Sequence, residues 1–268
     1  LSAILSQKPL PTNASKLQML SFYHFSPLDN PLAVRDELFQ RVSSIPGLRG
    51  TIYLAPEGIN AQLAVPCGEP LQDLVEICRA TLPFDPLQEN LPNLGDLVDI
   101  TTPTFDKLVV RARDAILRDG MDETLDWTDA GSELSPGEWD HQLRSEANKP
   151  LVLLDCRNLY EFVQGTFHGA TPLMTSNFQE SWSELKERTQ GLSKDQPLHI
   201  FCTGGIRCVK VGAYLKQKLG FSDIRRLEHG IIGYQRWSRE EHLLSDESLW
   251  FGENFLFDKR RFHKRESD

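Results

Sequence analysis

The chain has 268 residues, 40% of them hydrophobic and 25% charged, which suits one large soluble domain or two of ordinary size. No apolar run reaches the roughly 18–20 residues that cross a bilayer, and no signal-peptide pattern opens the chain, so a membrane partner is set aside. The net charge of −9 argues against a nucleic-acid partner until its distribution is read: residues 119–150 hold nine acids and two bases, whereas 151–245 hold twelve bases and ten acids, so RNA binding stays open to the second half.

In chain order, "LQMLSFYHF" (17–25) is predicted as a strand and "PLAVRDELFQRVSSI" as a helix ended by Pro46-Gly47. "GTIYLAPEGINAQLAV" predicts two strands joined at Glu57-Gly58, "PLQDLVEICRATL" a second helix, and "FDKLVVRARDAI" a final strand after a proline-bearing loop. Strand, helix, strand, strand, helix, strand is the ferredoxin-like pattern, placed at residues 14–118. Residues 119–135, acidic and rich in Asp, Ser and Gly, are expected to be a linker. From 136 to 245 the pattern changes: Ser135 caps a helix with Pro136 in its first turn, then the buried-type strands "PLVLLD" and "PLHIFC" and the strand "DIRRLEH" alternate with helices. That alternation predicts a parallel sheet with helices on both faces. Residues 246–268, ending in "DKRRFHKR", are expected to be a solvated tail.

Five cysteines, an odd number without a CxxC pair, argue against a disulfide framework and against a zinc site built on such pairs. They fit a reducing compartment: the cytoplasm, or an organelle if a targeting segment preceded Leu1. Cys78 falls on the apolar stripe of a helix, Cys67 in the turn "VPCGEP", and Cys156 reads as packing.

Cys202 is different. It ends an apolar strand, is followed by Thr203, Gly204, Gly205, Ile206 and Arg207, and the chain then enters a helix. In an open parallel sheet ligands bind beyond the carboxyl ends of the strands. There the glycines let successive N–H groups point inward, and the helix N-terminus adds its field. The expectation is a Cys202 thiolate with its acidity raised, and an Arg207 fork that closes the loop on an anion. The C-x4-R spacing is one residue shorter than the C-x5-R loop of phosphatases, so the ring suits a single sulfur better than a phosphate. Cys208, in the first helical turn, is placed either to attack an oxidised or sulfurated Cys202 or simply to face the sheet. Asp155 and Arg157 are expected to hold the sheet edge through local ion pairs, with Glu161, four residues on, as a partner for Arg157. His229 is either a surface histidine or a group tuning the sulfur. No flavin, haem or metal motif is present.

"LLDCRNLYEFVQGTFHGATPL", "FCTGGIRC" and "LEHGIIGYQRW" resemble the rhodanese fold. With "IYLAPEGINAQL" upstream and "FGENFLFDKR" downstream, residues 17–260 resemble the rhodanese-domain tRNA uridine 5-hydroxylases. The resemblance implies an α+β ferredoxin-like (acylphosphatase-like) domain followed by an α/β rhodanese domain. It implies hydroxylation of C5 of the wobble uridine by molecular oxygen as co-substrate, no established cofactor, and catalysis by Cys202. The anticodon loop is then expected between the two domains. Lys107, Arg111 and Arg113, which alternate along one strand, are expected to contact its phosphates. The competing expectation from the same loop is sulfur transfer through Cys202, from thiosulfate or a persulfide. The likeness departs at Glu228-His229-Gly230, where such proteins commonly have Glu-Gly-Gly, and in the lack of any cysteine after Cys208.

Overall fold

The computed structural model describes residues 15–85, 94–145, 151–243, 247–260 and 262–263. The chain divides into two units, one running to Leu117 and taking in Asp258–Arg260, the other running from Arg118 to Phe257 and resuming at Arg261.

The first unit is built from β1 (Lys16–Phe25), α1 (Pro31–Val42), β2 (Arg49–Ala55), β3 (Gly58–Pro66), α2 (Glu69–Thr81), β4 (Leu94–Asp99) and β5 (Leu108–Ala112). Asn30 starts α1 by accepting from the Ala33 N–H (3.1 Å), and Pro31 occupies the position whose N–H needs no partner. The sheet order is β4-β1-β3-β2-β5, antiparallel except for β2 and β5, which run parallel. Alternation along β1 sends Leu20 and Phe22 into the core under the helices, with Leu38, Val42, Leu74 and Cys78, and sends Leu17 and Met19 to the other face. Cys67 is exposed.

Two features of this unit were unexpected. The strand that completes the ferredoxin-like order beside β1 is β4, in the stretch read as a loop; the strand read as the last, β5, is an addition at the opposite edge. The "EGIN" residues hold the chain after β5. Glu57 accepts from the Ile116 N–H (2.8 Å), and the Asn60 amide donates to the Ile116 carbonyl (3.1 Å).

The second unit contains β6 (Ser132–Leu134), α3 (Pro136–Ser145), β7 (Val152–Asp155), α4 (Leu159–Phe162), β8 (Gly165–Phe167), β9 (Thr171–Pro172), α5 (Ser181–Arg188), β10 (Leu198–Phe201), α6 (Ile206–Gln217), β11 (Ile224–Leu227), α7 (Gly230–Glu240), β12 (Trp250–Gly252), β13 (Asn254–Phe255) and β14 (Phe262–His263). Ser135 and Glu138 form a reciprocal cap on α3: the Ser135 N–H donates to Glu138 (2.9 Å) and Ser135 Oγ accepts from the Glu138 N–H (3.3 Å). The sheet, β6-β11-β10-β7-β9, is parallel throughout. One face packs Leu153, Phe201 and Leu227 against Trp139 and Leu143 of α3 and Ile231 and Tyr234 of α7. The alternate residues, among them Leu154, Ile200 and Ile224, are also buried and face the side where α6 lies.

The expected linker and tail are both corrected. Residues 119–135 are part of the second unit and supply its edge strand β6. They are anchored by a buried ion pair, Asp119 with Lys210 at 2.6 Å, and the Lys210 ammonium lies 4.7 Å from the centre of the Trp127 ring. An acidic stretch reads as solvated in sequence because its one buried cationic partner lies 91 residues away. In the tail, β12 pairs with β8, setting Trp250 opposite Phe167, and both rings are buried. Arg260 of the basic cluster is held by Asp258 (2.6 Å) and Asp96 (3.1 Å). Among the described residues, no helix is long and apolar enough to cross a membrane.

Candidate active site

Three parallel strands deliver their ends to one edge. Asp155 at the tip of β7 pairs in register with Phe201 at the tip of β10, so Cys156 and Cys202 are each the next residue. The Cys156 N–H donates to the Phe201 carbonyl (2.9 Å). Beyond Cys202 the chain curls through Thr203 and Gly204 to Gly205, which precedes α6 at φ +94, a backbone that favours glycine. The curl turns amides inward: the Gly205 N–H donates to Cys202 Sγ at 3.2 Å, and the Cys208 N–H also donates to this sulfur. The other side of the loop is fixed by α7, whose Ile231 and Ile232 N–H groups donate to the carbonyls of Cys202 (3.0 Å) and Thr203 (3.1 Å). Gly230 makes that approach feasible. A β-carbon there would lie 2.4 Å from the Cys202 carbonyl oxygen.

The electrostatics correct the sequence reading. Cys202 is fully buried, and burial pushes its thiol well up; a hydrogen bond with the Cys208 thiol raises it further, against the opposing pull of Arg207 and the Cys208 N–H. In this closed arrangement Cys202 is a thiol. The field of inward amides is present, but desolvation outweighs it. Arg207 does not offer its fork to a ligand. Its Nη1 and Nη2 donate to both oxygens of Glu161 (2.7 and 2.8 Å), and Nη2 also donates to Thr203 Oγ1 (3.1 Å). Thr203 Oγ1 donates in turn to Glu161 Oε1 (3.1 Å). Burial alone would push the Glu161 carboxyl up, but the Arg207 charge and hydrogen bonds, with lesser help from Arg157, leave it below the usual carboxylate range.

Glu161 is therefore the partner of Arg207, not of Arg157 as its spacing suggested. Arg157 is taken by Asp155, through Nε (2.9 Å) and Nη2 (2.6 Å), and Nη2 also donates to the Gly165 carbonyl (2.5 Å). Thr166 Oγ1 donates to the same carboxylate (2.9 Å), and the Trp250 ring lies 5.1 Å from the guanidinium. Ile206 is the first residue of α6 and Cys208 lies in its first turn, fully buried. His229 is half-buried, and burial pushes its ring down against the pull of Glu228, whose Oε1 lies 3.6 Å from Nε2. His229 adopts φ +55, a left-handed backbone that glycine would take up with less strain.

Sequence reasoning missed the aromatic surround. Phe257 lies 5.6 Å from the Arg207 guanidinium, Phe255 contacts Phe257 edge-on (5.3 Å), and Tyr160, next to Glu161, contacts Phe255 edge-on (5.3 Å). Tyr160 and Phe257 are each 44% exposed, large for aromatic rings beside a buried loop. In the first unit Lys107, Arg111 and Arg113 are all exposed, on and flanking β5, and Arg113 lies over the Tyr53 ring at 5.4 Å.

The comparisons agree with this architecture. The model described as "UPF0176 acylphosphatase like domain" matches residues 17–116, and that described as "Rhodanese-like domain" matches residues 140–238. Curated proteins called tRNA uridine(34) hydroxylase, from Escherichia coli (strain 55989) and Shigella flexneri serotype 5b, are 36% identical over 243 residues. That stretch is 90% of this chain and 65% of theirs, so the chain spans slightly under two thirds of the length of these relatives. A solved rhodanese-like domain protein from Staphylococcus aureus is 22% identical, covering 38% of this chain and 90% of its own, with a TM-score of 0.32. In this chain an acylphosphatase-like domain is thus followed by a rhodanese-like domain, and 90% of its length is similar to tRNA uridine(34) hydroxylases.

Proposed function

We propose that this protein hydroxylates C5 of the wobble uridine of tRNA, with molecular oxygen as co-substrate and Cys202 as the catalytic residue. The observation that carries the reading is the 36% identity to tRNA uridine(34) hydroxylases across 90% of the chain, a stretch that includes the Cys202 loop. Chemically, a thiolate adds at C6 of the uracil ring and raises electron density at C5, where oxygen enters. The charge developing on the O4 enolate is of the kind that preorganised N–H donors stabilise. The buried thiol becomes a nucleophile only when the loop opens or substrate displaces its cover, so the ring of amides acts on Cys202 after water or substrate has reached it. One oxygen atom enters the base and the other leaves as water, which requires two electrons from a reductant.

The test is mass spectrometry of tRNA nucleosides from cells lacking this activity, with and without the gene for this chain. Appearance of 5-hydroxyuridine supports the reading. The rhodanese-like match over residues 140–238 favours one competitor, sulfur transfer through the same cysteine. Unchanged nucleosides together with turnover of thiosulfate would select it.

Lys107, Arg111 and Arg113 are proposed to contact tRNA phosphates. Reversing all three to Glu is expected to weaken tRNA binding and to lower the slope of log affinity against log salt by about two to three. Unaltered affinity and slope in a filter-binding titration would remove these residues from the interface.

A further inference from the structure

Three of the five cysteines meet behind the loop. Cys156 and Cys202 follow the paired ends of β7 and β10, and Cys208 enters from the first turn of α6. All three are unbridged and buried, at 2%, 0% and 0% exposure. Their thiols form a chain: Cys202 shares a hydrogen bond with Cys208, Cys208 with Cys156, and Cys156 Sγ donates to the Leu154 carbonyl at 3.8 Å. The cysteine touching the catalytic sulfur is thus Cys208, while Cys156 is turned to the strand backbone.

We propose that Cys202 and Cys208 form a reversible dithiol–disulfide couple that protects the catalytic sulfur from over-oxidation, with Cys208 as the resolving thiol. Peroxide converts the Cys202 thiol to a sulfenic acid and is itself reduced to water. Cys208 sulfur then attacks Cys202 sulfur: the S–S bond forms, the S–O bond breaks, and the hydroxyl leaves as a second water with the Cys208 proton. Across the two steps the thiols lose two protons and two electrons, which peroxide takes up as it becomes two waters, and an external dithiol restores the starting state. Contact between the sulfurs favours this closure over further oxidation, because the resolving thiol is already beside the sulfenic acid. The same burial that keeps Cys202 protonated makes the first step slow, so oxidation proceeds through local opening of the loop.

The experiment treats the whole chain with hydrogen peroxide and follows intact mass and non-reduced peptides. Wild type is expected to fall in mass by two hydrogens, to yield a Cys202–Cys208 cross-linked peptide, and to return to its starting mass with dithiothreitol. Cys208→Ser is expected to accumulate sulfinic and sulfonic acid on Cys202 that dithiothreitol does not reverse. Cys156→Ser, which removes the third thiol but leaves the pair, is expected to behave as wild type and keeps the question answerable if Cys208→Ser does not fold. A cross-link to Cys156 instead, or sulfinic acid on Cys202 accumulating in wild type as fast as in Cys208→Ser, overturns the proposal. None of these readouts involves tRNA, so they stand or fall apart from the hydroxylase reading.

Discussion

Cys202→Ser is expected to leave the protein folded and to lower 5-hydroxyuridine formation on the order of 10³-fold or more, as loss of a nucleophile does when no neighbour can replace it. The substitution is nearly isosteric, and the Gly205 and Cys208 N–H donors find an oxygen where the sulfur was. What disappears is nucleophilicity: a serine hydroxyl here has no adjacent base, since Glu161 is spent on Arg207 and Thr203. Purified variant and wild type, each incubated with unmodified tRNA, oxygen and reductant and read by nucleoside mass spectrometry, decide the matter. Activity within about tenfold of wild type would move the chemistry off this residue.

The largest effect on stability is expected from Glu161→Gln. Its carboxylate is fully buried and accepts from Arg207 twice, from Thr203 and from the Asn158 N–H (3.1 Å). Neutralising it leaves a buried guanidinium with no counter-charge, for which about 3–5 kcal/mol is typical. Urea unfolding of the full chain should place the second unit's transition lower by that amount. The double variant Glu161→Gln with Arg207→Met should be more stable than the single one, because it removes the stranded charge. A single variant within about 1 kcal/mol of wild type would mean that water reaches the pair. The pH dependence has a definite sign. Glu161 titrates lower folded than unfolded, so its contribution is complete above the ordinary carboxylate range and is lost as pH falls through its depressed folded value.

The loop was legible because its chemistry is local. Glycines after an apolar strand, a cysteine at the strand end and an arginine in the first helical turn lie within six residues, and backbone rules alone curl them inward. The parallel sheet was legible for the same reason, since β7 and β10 are short, mostly apolar runs. What failed was set by partners far along the chain. Arg207 and Glu161 are 46 residues apart, so a local pairing of Glu161 with Arg157 looked sufficient. The acidity of Cys202 was read from its amides alone, and the opposing desolvation comes from packing that no single segment encodes. β4 was missed because glycine and a polar alternation in "LGDLVD" hide an edge strand behind prolines.

The pairing of β12 with β8 has a consequence for biosynthesis. Trp250, which covers Phe167 and faces the Arg157 guanidinium, and Phe257, which covers Arg207, are translated after every other residue of the site. A nascent chain halted before residue 250 carries the whole Cys202 loop yet leaves both arginines without their aromatic lids. The centre is thus completed only once residues 250–257 have been made and β12 has paired with β8.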